Sequence, residues 1–267
     1  MVKVVILGST GMLGNAVAKV FDDTDYIVKK SYRKHEFAKD TSMFFFDAMT
    51  SSVEDIPECD YLINCIGIIK PYMSKDIVSS VYINSIFPHK LAKWCKSNNT
   101  KMIHITTDCV FSGISGFYVE DSQHDCLDEY GKSKSIGEPK NCMVLRTSII
   151  GEEIHSYSSL ISWVKTQNNK EIFGYTNHLW NGMTTKQYGK CCLKIIQEEL
   201  YEDNLFHLHS DDISKYDLVS LICDRFDLNI KINKKVVKSS CNRTLRTKKE
   251  LNDILKIPNI KKQIQEL

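Results

Sequence analysis

Residues 2–21 read VKVVILGSTGMLGNAVAKVF. Val2 to Leu7 is a short β-branched and apolar run, the composition of a parallel strand buried on both faces. It passes directly into Gly8-Ser9-Thr10-Gly11-Met12-Leu13-Gly14, and Asn15 to Phe21 then carries apolar residues at helical spacing. Strand, glycine turn and helix in that order predict an α/β protein, a Rossmann-like doubly wound parallel sheet. The three glycines have separate tasks. Gly8 makes the tight turn, Gly11 lets the backbone approach a pyrophosphate, and Gly14 lets helix and strand pack closely. The helix N-terminus adds unpaired N–H groups, so Thr10, Met12 and Leu13 join the candidate dinucleotide site through their backbone. The Gly-x-x-Gly-x-x-Gly spacing is one residue longer than the usual dinucleotide pattern. A plain strand-to-helix turn rarely needs three glycines, so dinucleotide binding is the better reading.

Working outward, Tyr26 to Lys30 reads as a second strand. An acidic residue at the end of this strand usually takes the ribose hydroxyls of NAD. Here the chain reads Ser31-Tyr32-Arg33-Lys34, with no acid until Glu36. Arg33 and Lys34 suit a 2′-phosphate, so NADPH is favoured and NADH is the second choice. A solvated loop is the bland account of the same two cations. Asp47, after the run Met43 to Phe46, is placed near the adenine. Asp60 to Ile66 reads as a further strand, and Cys65, Ile66 and Gly67 at its end bring backbone to the cofactor. Val81 to Lys96 is helical, with a kink or split expected at Pro88. Asn84, within it, is expected to be a solvated helix residue, with a catalytic-support role as the minority reading.

Met102 to Ile105 is another buried-strand run, and it stops at Thr106-Thr107-Asp108. Strand ends are where open α/β sheets place their chemistry. Tyr130 and Lys134 follow, four apart and therefore on one helix face. Met143 to Leu145 then leads into Arg146-Thr147-Ser148. A free phenol has a pKa of roughly 10, and a nearby ammonium is expected to lower it. Tyr130 would then protonate an oxyanion as it forms, while Thr107 holds the same oxygen. A Tyr-x-x-x-Lys pair alone is a common surface accident; the glycine motif upstream gives it weight.

Beyond Gly151 the texture changes. Ser156 to Gln167 reads as an amphipathic helix, and Phe173 to Thr185 as an aromatic and polar stretch suited to a substrate pocket or a packed loop. Gln187 to Leu200 and Asp211 to Phe226 read as helices, Leu205 to His209 as a short strand. The tail from Asn229 is basic and then helical, and holds Arg243 and Arg246. The expected division is an NAD(P)-binding domain over residues 1–150. Residues 151–267 are mainly a smaller C-terminal substrate lobe, with segments returning to the core.

The chain has 267 residues, enough for one large or two modest domains. A formal net charge of +2 gives no electrostatic case for nucleic acid or membrane as partner. No apolar run reaches the roughly 18–20 residues that span a bilayer. The ten cysteines are scattered, with no Cys-x-x-Cys or His-x-x-x-His spacing, which argues against a metal site. With no secretory signal pattern at the N-terminus, they read as reduced thiols in a cytoplasmic protein.

Gly8/Gly11/Gly14, Thr107, Tyr130 and Lys134 together resemble the extended short-chain dehydrogenase/reductases. Within them, Ile105-Thr106-Thr107-Asp108-Cys109-Val110-Phe111 and Tyr130-Gly131-Lys132-Ser133-Lys134-Ser135-Ile136-Gly137-Glu138 resemble the dTDP-4-dehydrorhamnose reductases and related nucleotide-sugar reductases. The likeness runs from residue 1 to about 225 and is weak in the tail. It implies NADPH-dependent reduction of the 4-keto group of a nucleotide-diphosphate sugar. Tyr130 would give the proton, Lys134 would bind the nicotinamide ribose and tune Tyr130, and Thr107 would hold the carbonyl. Asp108, Arg146, His178 and Trp180 are candidates for nucleotide and sugar contacts. Cys109 stands where bifunctional epimerase/reductases of the superfamily carry an acid/base cysteine, so the resemblance raises C3 epimerisation as a hypothesis, with His178 as its candidate partner acid; the bland accounts are a small buried cysteine and, the better reading for His178, a histidine with no such role. The rival class is a non-catalytic NADP-binding regulator or partner subunit, although such relatives typically lose the Tyr/Lys pair. The resemblance leaves a homodimer open.

Overall fold

Strand β1 (Lys3–Leu7) turns Val4 and Ile6 to one face and Val5 and Leu7 to the other, and all four are buried. A strand needs two apolar faces when helices cover both sides of its sheet. The computed structural model describes residues 1–38, 40–154 and 159–267. After β1 come α1 (Met12–Phe21), β2 (Ile27–Tyr32), β3 (Met43–Phe45) and β4 (Tyr61–Asn64). Next are α2 (Lys70–Met73), α3 (Ile77–Val81), a π-helical turn over Tyr82–Ile86, α4 (Phe87–Ser97), β5 (Lys101–Thr107), α5 (Glu129–Ile136) and β6 (Met143–Thr147). The chain then leaves the sheet through β7 (Ile149–Ile150), α6 (Leu160–Lys165), β8 (Glu171–Tyr175), β9 (His178–Trp180) and β10 (Met183–Thr184). It returns with α7 (Thr185–Gln197) and β11 (Leu205–His207), and closes with β12 (Ile213–Ser214), α8 (Lys215–Phe226), β13 (Lys231–Lys235), β14 (Cys241–Asn242), α9 (Leu251–Leu255) and α10 (Ile260–Gln265).

The central sheet has the order β11-β6-β5-β4-β1-β2-β3, with every pair parallel. The chain runs outward from β1 to β3, then crosses back to lay β4 on the other side of β1. Winding reverses between β1 and β4, and open α/β sheets bind ligands in the crevice outside the strand ends at that point. Val4, Ile6, Ile63 and Leu145 pack with α1 and α7 on one face; Val5, Leu7, Leu62 and Val144 pack with α4 on the other. A third core, around Ile161, Trp180, Leu218, Ile222 and Ile264, belongs to the lobe.

Several expectations change in detail. The helix expected over 81–96 is split into α3, the π turn and α4, with Pro88 in the first turn of α4, where its missing N–H costs nothing. Asn84 is buried inside the π turn rather than solvated. The aromatic stretch from Phe173 folds into short strands, not a loop. The helix expected from Asp211 starts at Lys215, because Ile213 and Ser214 pair with β9 and the Ser214 hydroxyl caps the Asp217 N–H at 3.1 Å. Of the helix expected over 156–167, Leu160–Lys165 is helical; residues 156–158 lie outside the described residues.

Candidate active site

The glycine turn sits at the reversal point. Gly8 has φ +78, the left-handed region that favours glycine, and a side chain there would press on Ile66 and the Cys65 backbone. A Cβ at Gly14 would lie 2.1 Å from the Gly8 carbonyl oxygen, so α1 sits tightly on the turn. Gly11, by contrast, leaves open space beyond that same oxygen. No side chain caps α1, whose first N–H groups face the crevice mouth. Ser31 anchors the turn from β2: its Oγ accepts the Gly8 N–H at 2.8 Å, and its carbonyl accepts the Ser9 hydroxyl at 2.7 Å. Arg33 and Lys34 follow β2 and are exposed. Asp47 follows β3 and closes a turn, accepting the Met49 N–H at 2.9 Å. Thr10 and Met12 line the turn, while the Leu13 side chain is in the core.

Cys65, Ile66 and Gly67 leave β4 on the other wall of the crevice. Asn84 holds this loop at Ile68, accepting its N–H at 2.8 Å and donating to its carbonyl at 2.9 Å. The same amide reaches Ser133 of α5 at 3.1 Å.

Thr107 ends β5, where its hydroxyl accepts the Cys109 N–H at 3.1 Å. Asp128 begins α5 by accepting the Gly131 N–H at 3.0 Å, and Lys70 of α2 pairs with it at 3.0 Å. Gly131 lets α5 lie against the 108–110 turn, since a Cβ there would be 2.3 Å from the Cys109 carbonyl oxygen. The helix therefore presents Tyr130 to Thr107 and Lys134 to Gly67, whose Cβ position is 3.8 Å from Lys134 Nζ. A cavity of ≈ 280 Å³ opens between α2, α3 and the first turn of α5, lined by Lys70, Met73, Ile77, Asp128, Glu129 and Tyr130.

Protonation departs from expectation. Burial pushes the half-buried Tyr130 phenol up, Cys109 adds to this, and the Thr107 hydroxyl offsets part of it. The Lys134 ammonium does not bring the phenol below its ordinary value; it donates to the Ile105 carbonyl at 3.2 Å. Burial lowers Lys134 to about 8, against the pull of Glu138. Burial and then Asp108 push the Cys109 thiol up to about 12, against Arg243.

Asp108 is buried and pushed up by burial, with Arg243, Thr107 and Lys215 opposing. Lys215 at the start of α8 and Arg243 after β14 thus face Asp108 and Cys109 from the lobe. Neither was a site candidate in the sequence, although Arg243 stands out in the basic tail and Lys215 lies within the stretch of family likeness. Lys215 follows a capping serine and carries no motif; Arg243 is brought in by β14 pairing with β9, and its Nε donates to the Phe111 carbonyl at 2.9 Å.

Arg146 and His178 are engaged away from Thr107, whereas Trp180 borders the site through Lys215. Arg146 is 1% exposed and forks onto Glu138 at 3.1 and 2.6 Å, while its other donors reach His207 and His124, each at 2.8 Å. It is a structural ion pair under the site, not a nucleotide contact. Trp180 is a wall of the lobe core, with Lys215 Nζ 5.6 Å from its ring. His178 turns its Nε2 to the Ser239 carbonyl at 3.0 Å. Among the described residues no three His, Cys, Asp or Glu side chains are grouped to hold a metal ion, and no helix is long and apolar enough to cross a membrane.

A family model of the RmlD substrate binding domain matches residues 2–263. The chain belongs to this family. Among similar proteins, a probable low-salt glycan biosynthesis reductase of Haloferax volcanii is 29% identical over 161 residues; the match takes in 54% of this chain and about half, 52%, of that protein. The methionine adenosyltransferase 2 subunit beta of Xenopus tropicalis is 25% identical, over 85% of this chain and 72% of its own length. The crystal structure of a Bacillus anthracis dTDP-4-dehydrorhamnose reductase in complex with NADP superposes with a TM-score of 0.76, at 17% identity, over 100% of this chain and 98% of that one. At that identity the likeness is one of fold.

Proposed function

We propose that this RmlD-family protein reduces the 4-keto group of a nucleotide-diphosphate 6-deoxy sugar with NADPH, and accepts NADH less well. The convergence of Thr107, Tyr130 and Lys134 at the end of β5, beside a glycine turn open to a pyrophosphate, carries this reading. The residues fit the cofactor. Gly8 to Gly14 and the N-terminus of α1 would take the pyrophosphate, and Arg33 and Lys34 the 2′-phosphate, with Asp47 toward the adenine. The loop 65–67 and Lys134 would take the nicotinamide ribose. When bound, NADPH supplies the hydride to the sugar carbon. Thr107 would hold the carbonyl oxygen, and Tyr130, kept protonated by burial, would give it a proton. Lys215 and Arg243 would offer positive charge to the sugar-linked diphosphate, with Asp108 between them and Thr107.

Epimerisation at C3 is a finer reading that Cys109 serves poorly. A thiol pushed up to about 12 can give a proton, but at neutral pH almost none of it is the thiolate that would have to take one, and His178 is engaged at Ser239. Incubation in deuterated water without NADPH tests it, with no deuterium at C3 expected.

The main test is NADPH oxidation with a dTDP-4-keto-6-deoxy sugar. Tyr130→Phe should lower kcat by about 10²–10⁴ and leave the NADPH dissociation constant unchanged. The likeness to methionine adenosyltransferase 2 subunit beta across 85% of the chain supports one rival, a subunit that binds NADPH without turnover. Tight NADPH binding with no oxidation across a panel of dTDP, UDP and GDP 4-keto sugars would favour that rival.

A further inference from the structure

One fully buried imidazole has no part in the chemistry above. His104 lies in the middle of β5 at 0% exposure. Its Nδ1 is 3.1 Å from Asn64 Nδ2 on the neighbouring strand, where the two residues are in register. The other end of that amide fixes its orientation, because Oδ1 accepts the Ile66 N–H at 3.1 Å. Nδ2 is therefore the donor and His104 Nδ1 the acceptor, which leaves the ring proton on Nε2. A proton on Nδ1 as well would meet the amide N–H, so the ring is held neutral. Burial and then Lys134 lower its pKa in the same sense. Nε2 makes no well-formed hydrogen bond among the described residues; its nearest backbone partner, at Gly137, only partly offsets the effect of burial on the ring. An orphaned buried donor is costly, and an aliphatic residue would avoid that cost. The well-formed hydrogen bond that the imidazole supplies is the acceptor for Asn64.

The loop after β4 thus has two fasteners. Asn84 grips Ile68 and is itself held by Ser133 of α5. Asn64 grips Ile66 and is itself held by His104 of β5. Between them lies Gly67, facing Lys134.

We propose that His104 is a positioning residue, which acts through Asn64 to set the Ile66–Gly67 backbone for the nicotinamide end of the cofactor. The proposal rests on the cofactor half of the reductase reading. Its test compares His104→Leu, which fills the space without an acceptor, with His104→Gln, which restores one. Two readouts are taken: NADPH affinity by fluorescence in the absence of sugar, and hydrogen exchange of the Ile66 amide. The Leu variant should bind NADPH about tenfold more weakly, the usual effect of leaving a buried donor without its acceptor, and should lose Ile66 protection. The Gln variant should keep both within about twofold of wild type. Equal weakening in both variants, or none in Leu, overturns the proposal. If Leu does not fold, the Gln variant decides: tenfold weaker binding by a folded His104→Gln protein overturns it, and retained affinity with retained Ile66 protection supports it. Wild-type protein that binds neither NADPH nor NADH would instead defeat the cofactor reading itself.

Discussion

Tyr130 and Lys134 meet the same burial with opposite results. Removing solvent disfavours the charged form of each, so the phenol holds its proton more tightly and the ammonium less. For a proton donor in reduction, a tightly held phenol proton is no handicap, because an alkoxide is a far stronger base. Lys134 sets the pH limit. Its charge is complete well below about 8 and disappears as pH rises through that value. The pH profile of kcat/KM should therefore fall above about pH 8; a profile flat to pH 10 would remove Lys134 from the reaction. The sequence made these two residues legible, since a spacing of four is local information. It misassigned Arg146 for the converse reason. An arginine after an apolar run looks like an anion contact until folding surrounds it with Glu138, His124 and His207, from three separate stretches. Lys215 and Arg243 were missed likewise, because only the pairing of β12 and of β14 with β9 brings them to the site.

Helix α5 is the element on which the site depends, and it is fixed at both ends. At its N-terminal end Gly131 permits contact with the Cys109 carbonyl, and the Asp128 cap is tied to Lys70. Gly131→Ala should lift the helix from the turn and destabilise the protein by about 1–3 kcal/mol. Chemical denaturation measures that cost, and activity should fall further than stability alone explains. Toward its C-terminal end, Ser135 bonds His124 at 2.6 Å, and Glu138 just beyond pairs with Arg146. Both imidazoles accept from the guanidinium, so both are neutral in the fold. Burial and then Arg146 lower His207 to about 4, below its usual value of about 6.5. The folded state therefore binds fewer protons in that window. Stability from this group is complete above about pH 6.5 and is lost as pH falls toward about 4. The melting temperature should drop across that range in wild type and drop less in His207→Gln; identical slopes would exclude His207 as the cause. The glycine turn and α1 were readable because strand, turn and helix are contiguous. The late start of α8 was not, because β12 is held by a partner strand from residues 178–180.

Over the whole molecule, the parallel sheet and its reversal point were foreseeable from repeated strand-helix alternation, whereas the composition of its far edge was not. β11, from residues 205–207, pairs with β6 and finishes the sheet. α7 covers α1, and Leu251 and Leu255 of α9 fill the same core. We propose that residues 1–150 make up the cofactor-binding unit in the bound state without being an independent folding unit. A 1–150 fragment should lack a cooperative thermal transition in calorimetry and should not bind NADPH; a fragment that melts sharply would show the later segments to be dispensable. This arrangement also bears on how the chain is born. The crevice walls, β1 and β4, leave the ribosome before α7, which seals their apolar side only after β5, β6 and the first lobe segments have been made. At about 5–20 residues per second, the half-built sheet waits on the order of ten seconds. During that interval its Val- and Ile-rich face is open to other nascent chains, so yield in cells should respond to chaperone supply and translation speed more than the finished protein's stability would suggest.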